Sequence, residues 1–288
     1  MVDFWANLRS ETAAEAWKTI RVFRQASEAR GSTTSLQPRG VAETLSDMDA
    51  CGIDVSIVSG MAGVEALFPQ QNYSIEDVLG FCGEHPTRLL AALTIEGLGS
   101  VSHICRAIEE HASNPAFALV RVVPIFVQEP LNGARLYPVY ERCEALGIPV
   151  SINVGIPGPR LRVAHQDPLL LDDVLIDFPE LTVVASHMGH PWEALLIRMM
   201  RKYRRLYLSN SAWLAKYLAP EVVAFMDSSV GRNRLIFASD APLIAPSRAL
   251  DEAKRLPISE PALTGFLGTN ALEALGARAE PIVAARAA

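Results

Sequence analysis

Short apolar runs alternate with stretches whose apolar residues recur at helical spacing, from one end of the chain to the other. The runs cover 2–6, 53–59, 89–95, 118–123, 149–154, 182–187, 206–209 and 235–239. Several are rich in β-branched residues and nearly all are apolar at successive positions, as parallel strands covered on both faces require. Helical patterns cover 40–50, 74–84, 101–112, 135–146, 168–177, 192–203, 221–228 and 247–255. Eight units in 288 residues leave about 36 residues each, the size of one βα repeat, and predict an α/β chain folded as a (β/α)8 TIM barrel. A doubly wound sheet would carry a Gly-rich turn after its first strand, where this chain reads Asn7, Leu8, Arg9 and Ser10. The reading is a single domain over 1–288, with a helical insertion at 11–39 after strand one. A lid at the barrel mouth and an extra wall helix are both open readings of that insertion.

In a barrel, alternate strand residues face the axis and the others meet the helices. A polar side chain turned toward the helices would be buried away from water, so polar residues at strand ends are expected to point inward. On that reasoning Asp3, Trp5 and Asn7 share an inward face, as do Ser151 with Asn153 and Ala185 with His187. Ser209 pairs with Ser211, Ala238 with Asp240, and Arg121 with Leu119 and Val123 in the same way. His187 closes the run VVASH and Asp240 closes IFASD. Alone, each reads as a satisfied core histidine or a turn-forming aspartate; together at one rim they would cost several kcal/mol unless one site employs both. His190 and Trp192 follow in HMGHPW, where Pro191 suits a helix start. Arg160, just beyond strand five, is either a carboxylate clamp or a solvated loop residue. His85, His103, His111 and His165 read as surface residues.

Composition narrows the function classes. Apolar residues make up 50% of the chain and mean hydropathy is +0.18, which excludes a disordered protein. The net charge of −6 offers no basic surplus for a nucleic acid or an anionic membrane, so neither is an expected partner. Cys51, Cys82, Cys105 and Cys143 form no CxxC pair and read as reduced thiols. Acidic residues near the N-terminus and the lack of an 18-residue apolar stretch argue against a signal peptide or a membrane span, giving a cytoplasmic expectation.

The segment VVASHMGHPWEALLIRMMRKYRRLYLSNSA, followed by RLIFASDAP and GTNALEALG, resembles the amidohydrolase-related family of metal-assisted (β/α)8 enzymes. LNGARLYPVYERCEALGIPVSINVG and NYSIEDVLGFCGEHPTRLL extend the resemblance over nearly the whole chain. It implies decarboxylation, hydration, or hydrolysis of lactones and amides, on small and often carboxylated substrates. It also implies a metal held by an HxH pair ending strand one, by histidines ending strands five and six, and by an aspartate ending strand eight. The chain departs from that pattern. Trp5 and Asn7 stand at the HxH positions and Asn153 at the strand-five position, leaving His187 and Asp240. Two ligands are too few for zinc, and one carboxylate is too few for a hard ion. The expectation is therefore no metal cofactor; a divalent zinc or manganese that did bind would sit at His187 and Asp240, with His190 a third ligand only if its ring converged on them.

Without a metal, Asp240 can act as a general base on water, and His187 can orient it or donate to a developing oxyanion. The resemblance includes lactone hydrolysis of this kind by the strand-eight aspartate. The first expectation is a metal-independent hydrolase of a small carboxylated lactone or ester. Trp5, Asn7, Arg121, Asn153, Arg160, His190, Trp192 and Ser211 are the candidate substrate-binding residues. Two alternatives stay open: a decarboxylase, hydratase or cyclase acting on a small aromatic or polyketide-like acid, and a non-catalytic binding protein. Met199, Met200 and Leu267 suggest a homodimer contact.

Overall fold

The computed structural model describes residues 1–19, 24, 28, 37–59, 74–95, 99–157 and 162–287. Eight parallel strands pair in sequence order: β1 (Val2–Asn7), β2 (Val55–Ser59), β3 (Leu89–Ile95), β4 (Phe117–Val122), β5 (Val150–Asn153), β6 (Val183–Ser186), β7 (Leu206–Ser209) and β8 (Leu235–Ile236). Beyond Ile236 the chain closes the ring on β1 through Phe4 N to Phe237 O at 3.1 Å, Asp240 N to Trp5 O at 2.8 Å and Asn7 N to Ala241 O at 2.8 Å. The predicted (β/α)8 barrel is the fold observed, with strand limits shifted by no more than three residues.

The helices form an outer ring. They are α1 (Glu11–Thr19), α2 (Val41–Cys51), α3 (Ile75–Cys82), α4 (Val101–His111), α5 (Pro124–Val127), α6 (Tyr137–Ala145) and α7 (Leu171–Asp177). After them come α8 (Glu193–Lys202), α9 (Pro220–Met226), α10 (Pro246–Ala253), α11 (Glu260–Thr264), α12 (Asn270–Leu275) and α13 (Glu280–Ala287). Local chemistry sets several starts: Ser74 Oγ accepts from Asp77 N, with the Asp77 carboxylate answering to Ser74 N, and Ser100 accepts from His103 N. Pro220 and Pro246 each open a first turn. Four helices, α5 and α11–α13, lie outside the predicted set. All four cysteines are unpaired thiols on helices. The expected insertion 11–39 is described only at α1, residues 24 and 28 and its last three positions, where Ala13 and Ala14 are buried; the remainder, and with it the lid, lies outside the described residues.

Two apolar layers follow from the strand period of two. Val120, Val122, Val150, Ile152, Val183 and Leu208 join the helices in an outer core. Val55, Ile57, Leu90, Leu119, Val184 and Ile236 fill the barrel interior. This alternation corrects two expectations. Ala185 faces the helices, not the axis, and Ser186 takes the inward position. Asp3 does not share a face with Trp5 and Asn7: the register with β2 runs Asp3 to Ser56 and Ala6 to Val58, so one extra residue in β1 reverses the alternation. Asp3 lines a cavity that Thr44, Asp47, Met48 and Phe81 share with Asn7 and Ala241, and it accepts hydrogen bonds from Ser239. Met199, Met200 and Leu267 are buried within the chain, so they offer no surface patch to a second copy.

Candidate active site

The C-terminal strand ends gather a continuous set of polar contacts. Asn7 Nδ2 donates to Asp240 Oδ1 at 2.9 Å and to Ala241 O at 3.0 Å. A backbone carbonyl can only accept, so this fixes which end of the Asn7 amide faces Asp240. The other end, Asn7 Oδ1, accepts from Ser59 Oγ at 3.3 Å. Ser59 Oγ in turn receives Arg121 Nη1, while Arg121 Nη2 donates to Phe4 O at 3.2 Å. The guanidinium lies 3.5 Å from the centroid of the Trp5 ring, and that ring lies 4.8 Å from the ring of His187. Asp240, Asn7, Arg121, Trp5 and His187 thus share one wall.

A second chain of contacts holds His187 from the opposite side. Ser151 and Ser186 hydroxyls meet at 2.9 Å, Ser209 donates to Ser186 at 3.3 Å, and Ser209 and Ser211 meet at 3.3 Å. Ser211 Oγ accepts from His187 N at 3.1 Å, and His187 Nδ1 lies 3.1 Å from Ser211 O. Nδ1 also lies 2.9 Å from Ser211 Oγ, so the serine holds the ring through both its carbonyl and its hydroxyl. His187, Met188 and Asp240 all have left-handed backbone, with φ of 66°, 61° and 59°. Such conformations cost non-glycine residues about 1–3 kcal/mol each and concentrate at functional ends. Gly155, at φ 88°, carries the β5 loop against Gly189; a Cβ there would lie 2.6 Å from the Gly189 carbonyl carbon.

Burial governs the charges. Arg121 is fully buried, and desolvation pulls it down to about 9 against the attraction of Asp240 and Asp3, so it remains a cation at neutral pH. Four buried polar atoms on inward-facing residues find no hydrogen-bond partner among the described residues: Trp5 Nε1, Thr94 Oγ1, Arg121 Nε and Asn153 Oδ1. Unmet buried polar groups each cost about 1–3 kcal/mol, so a polar ligand that reached them would be rewarded.

The remaining candidates divide. His190 is half-exposed at the rim, with Nδ1 2.8 Å from the Glu193 carboxylate and its ring 5.0 Å from that of Trp213. Trp192 is half-buried and opens α8, its N bonded to Gly189 O at 2.8 Å. Arg160 lies outside the described residues. Ser59, Thr94 and Glu193 were not singled out in the sequence; the alternation Val55, Ile57, Ser59 along β2 was the available signal for Ser59.

The family's metal does not fit these donors. The Asn7 amide presents N–H, not a lone pair, toward Asp240. Among the described residues, no group of three or more His, Cys, Asp or Glu side chains is placed to hold an ion.

A family model described as Amidohydrolase matches residues 3–277. The chain belongs to the amidohydrolase family. No curated protein matches its sequence. Among solved structures, an uncharacterised TIM-barrel protein of Bordetella bronchiseptica is 22% identical, with a TM-score of 0.78 over 100% of this chain and 99% of that one. A 5-carboxyvanillate decarboxylase of Novosphingobium aromaticivorans, complexed with manganese and 4-hydroxy-3-methoxy-5-nitrobenzoic acid, is 16% identical, with a TM-score of 0.67 and 95% of each chain covered. A 4-oxalomesaconate hydratase of Rhodopseudomonas palustris is 17% identical, with a TM-score of 0.65 over 100% of this chain and 98% of that one. These three structures share the barrel fold with this chain. No helix among the described residues is long and apolar enough to cross a membrane.

Proposed function

We propose that this amidohydrolase is a metal-independent hydrolase of a small, unsaturated, carboxylated lactone or ester, with Asp240 as general base. The observation that carries the reading is Asn7 Nδ2 donating to Asp240 Oδ1. Asp240 Oδ1 faces the Asn7 N–H as an acceptor, the role a carboxylate plays as general base. Asp240 removes one proton from water, the water oxygen bonds to the acyl carbon, and the ring C–O bond breaks. The proton then passes to the departing oxygen. The His187 ring and the N–H groups of Trp5 and Arg121 are the groups offered to the oxyanion and to the substrate carboxylate. The rings of Trp5 and Trp192 offer flat surfaces for an unsaturated ligand.

A second reading, decarboxylation of an aromatic acid, is favoured by the likeness to the manganese-bound 5-carboxyvanillate decarboxylase. One experiment separates the two. Wild type and Asp240→Asn are incubated in ¹⁸O-water with coumalate, a pyrone carboxylate, and with 2,6-dihydroxybenzoate. Hydrolysis places label in the opened lactone and is lost in the variant. Carbon dioxide release from the aromatic acid, with coumalate untouched, would overturn the hydrolase reading in favour of the lyase.

A further inference from the structure

The base proposed above sits in a stretch of chain with little sheet to hold it. β8 is only two residues long, and the three residues from Ala238 to Asp240 lie outside any strand. The backbone of Asp240 is nonetheless fixed in the left-handed region at φ 59°. Backbone bonds to β1 hold it on one side, through Asp240 N to Trp5 O and Asn7 N to Ala241 O, and side-chain contacts of the flanking residues support it on the other.

The contacts around it converge on one side chain across the seam between β8 and β1. Asp3 Oδ1 accepts from Ser239 N at 2.8 Å, and Asp3 Oδ2 accepts from Ser239 Oγ at 2.5 Å. Ser239 Oγ then accepts from Ala241 N at 3.0 Å. The residues immediately before and after Asp240 are therefore both tied, directly or through one hydroxyl, to the same carboxylate. The N–H of Asp240 itself donates to Trp5 O at 2.8 Å, and Trp5 N reaches Asp3 Oδ1 at 3.4 Å. Asp3 and Ser239 are both buried, 1% and 0% exposed. The extra residue in β1 makes this possible: it turns Asp3 outward while its neighbours Trp5 and Asn7 stay at the mouth.

We infer that Asp3 is a positioning residue for Asp240, acting through Ser239 from behind the barrel wall and never touching substrate. The inference rests on Asp240 being the base. Removing both acceptors takes the partners from the buried Ser239 N–H and hydroxyl and loosens one of the two supports of the left-handed turn at Asp240, leaving its N–H bond to Trp5 O. A displacement of about 1 Å at a catalytic group is enough to lower turnover about a hundredfold.

The test compares crystal structures and coumalate kinetics of wild type, Asp3→Ala, Asp3→Asn, Ser239→Ala and Ser239→Thr. Asp3→Ala and Ser239→Ala are expected to release Asp240 from φ near +59° and to break its contact with Asn7, with the helices unmoved. Asp3→Asn, which keeps one acceptor, and Ser239→Thr, which keeps the hydroxyl, are expected to restore part of the geometry. On coumalate, kcat should fall about a hundredfold in the alanine variants while KM stays within about threefold. If Asp3→Ala does not fold, Ser239→Ala carries the test. An unmoved Asp240 in the alanine variants overturns the positioning role, whatever coumalate does. Loss of turnover in Asp240→Asn with unchanged turnover in Ser239→Ala would sink this inference alone, whereas persistence of turnover in Asp240→Asn would sink the proposed base.

Discussion

Asp3 also makes the stability of the barrel depend on pH in a direction opposite to the usual carboxylate. Burial raises its ionisation from the ordinary 3.8 to about 6, against the hydrogen bonds from Ser239 and Trp5 and the more distant Arg121, all of which favour the charged form. In the unfolded chain the same carboxyl releases its proton near 3.8, so between pH 4 and 6 the folded state binds more protons than the unfolded one. Stability attributable to Asp3 is therefore fully present below pH 4 and is lost as pH rises through 6. The difference of about two pK units corresponds to about 3 kcal/mol. For a barrel of this length that is about 5 °C in melting temperature. The perturbation is Asp3→Asn, which has no proton to exchange. Thermal melts of wild type and variant, followed by circular dichroism from pH 4 to 7.5, give the difference between their midpoints at each pH. Carboxylates such as Glu76, Asp172 and Asp227, which interactions hold below the ordinary range, are present in both proteins and cancel. The wild type should lose about 5 °C relative to Asp3→Asn across the window. A difference constant within about 1 °C, or one that grows with pH, would mean that hydrogen bonding outweighs desolvation at Asp3 and would refute the reasoning.

Two further outcomes follow from the site. Elemental analysis of protein purified without added metal should find well under one equivalent of zinc or manganese, and chelation should leave coumalate turnover unchanged; a stoichiometric, tightly held ion would overturn the reading of the donor set. Ser211→Ala removes the hydroxyl from His187 N and Nδ1 but leaves the Ser211 carbonyl, and should lower kcat about tenfold, the worth of about one hydrogen bond; an unchanged kcat would remove His187 orientation from the mechanism.

The barrel was legible because parallel strands buried on both faces leave unbroken apolar runs, as in VVAS and LYLS, that no amphipathic helix produces. The helices α11–α13 were not, because Pro261, Gly265, Gly268 and Gly276 punctuate a segment whose π-helical turn at Gly265–Thr269 keeps the chain coiled across two of those glycines. Asn153 could be assigned inward by parity, since the register of β5 is unbroken, whereas Asn7 follows the extra residue of β1 and Asp240 has left-handed backbone beyond β8. Parity failed at two places for one physical reason, a local break in the period of two: the extra residue in β1 reverses Asp3, and the left-handed backbone at His187 brings that ring to Trp5 although Ala185 faces the helices. The clamp from Asp3 to Ser239 spans 236 residues and has no sequence signature; only closure of the ring brings its two ends together.

Arg121 explains how a mouth with these substitutions keeps its electrostatic balance. The guanidinium is sealed beneath Trp5 and pinned by Ser59 and Phe4 O, so it is a fixed charge and not a mobile clamp of the kind a loop arginine would provide. Among the described residues no carboxylate makes an ion pair with it; Asp240 and Asp3 act on it across space, one at the mouth and the other behind the wall. A cation held inside low-dielectric walls projects its field toward the one open direction, the mouth. That field favours negative charge there, whether on Asp240, on a carboxylated ligand or on an oxyanion forming between them. The Trp5 ring covers this cation, and its indole N–H is without a hydrogen-bond partner among the described residues. A charge placed under an aromatic lid stabilises developing anions without having to move during reaction, which is the property that preorganised electrostatic catalysis requires.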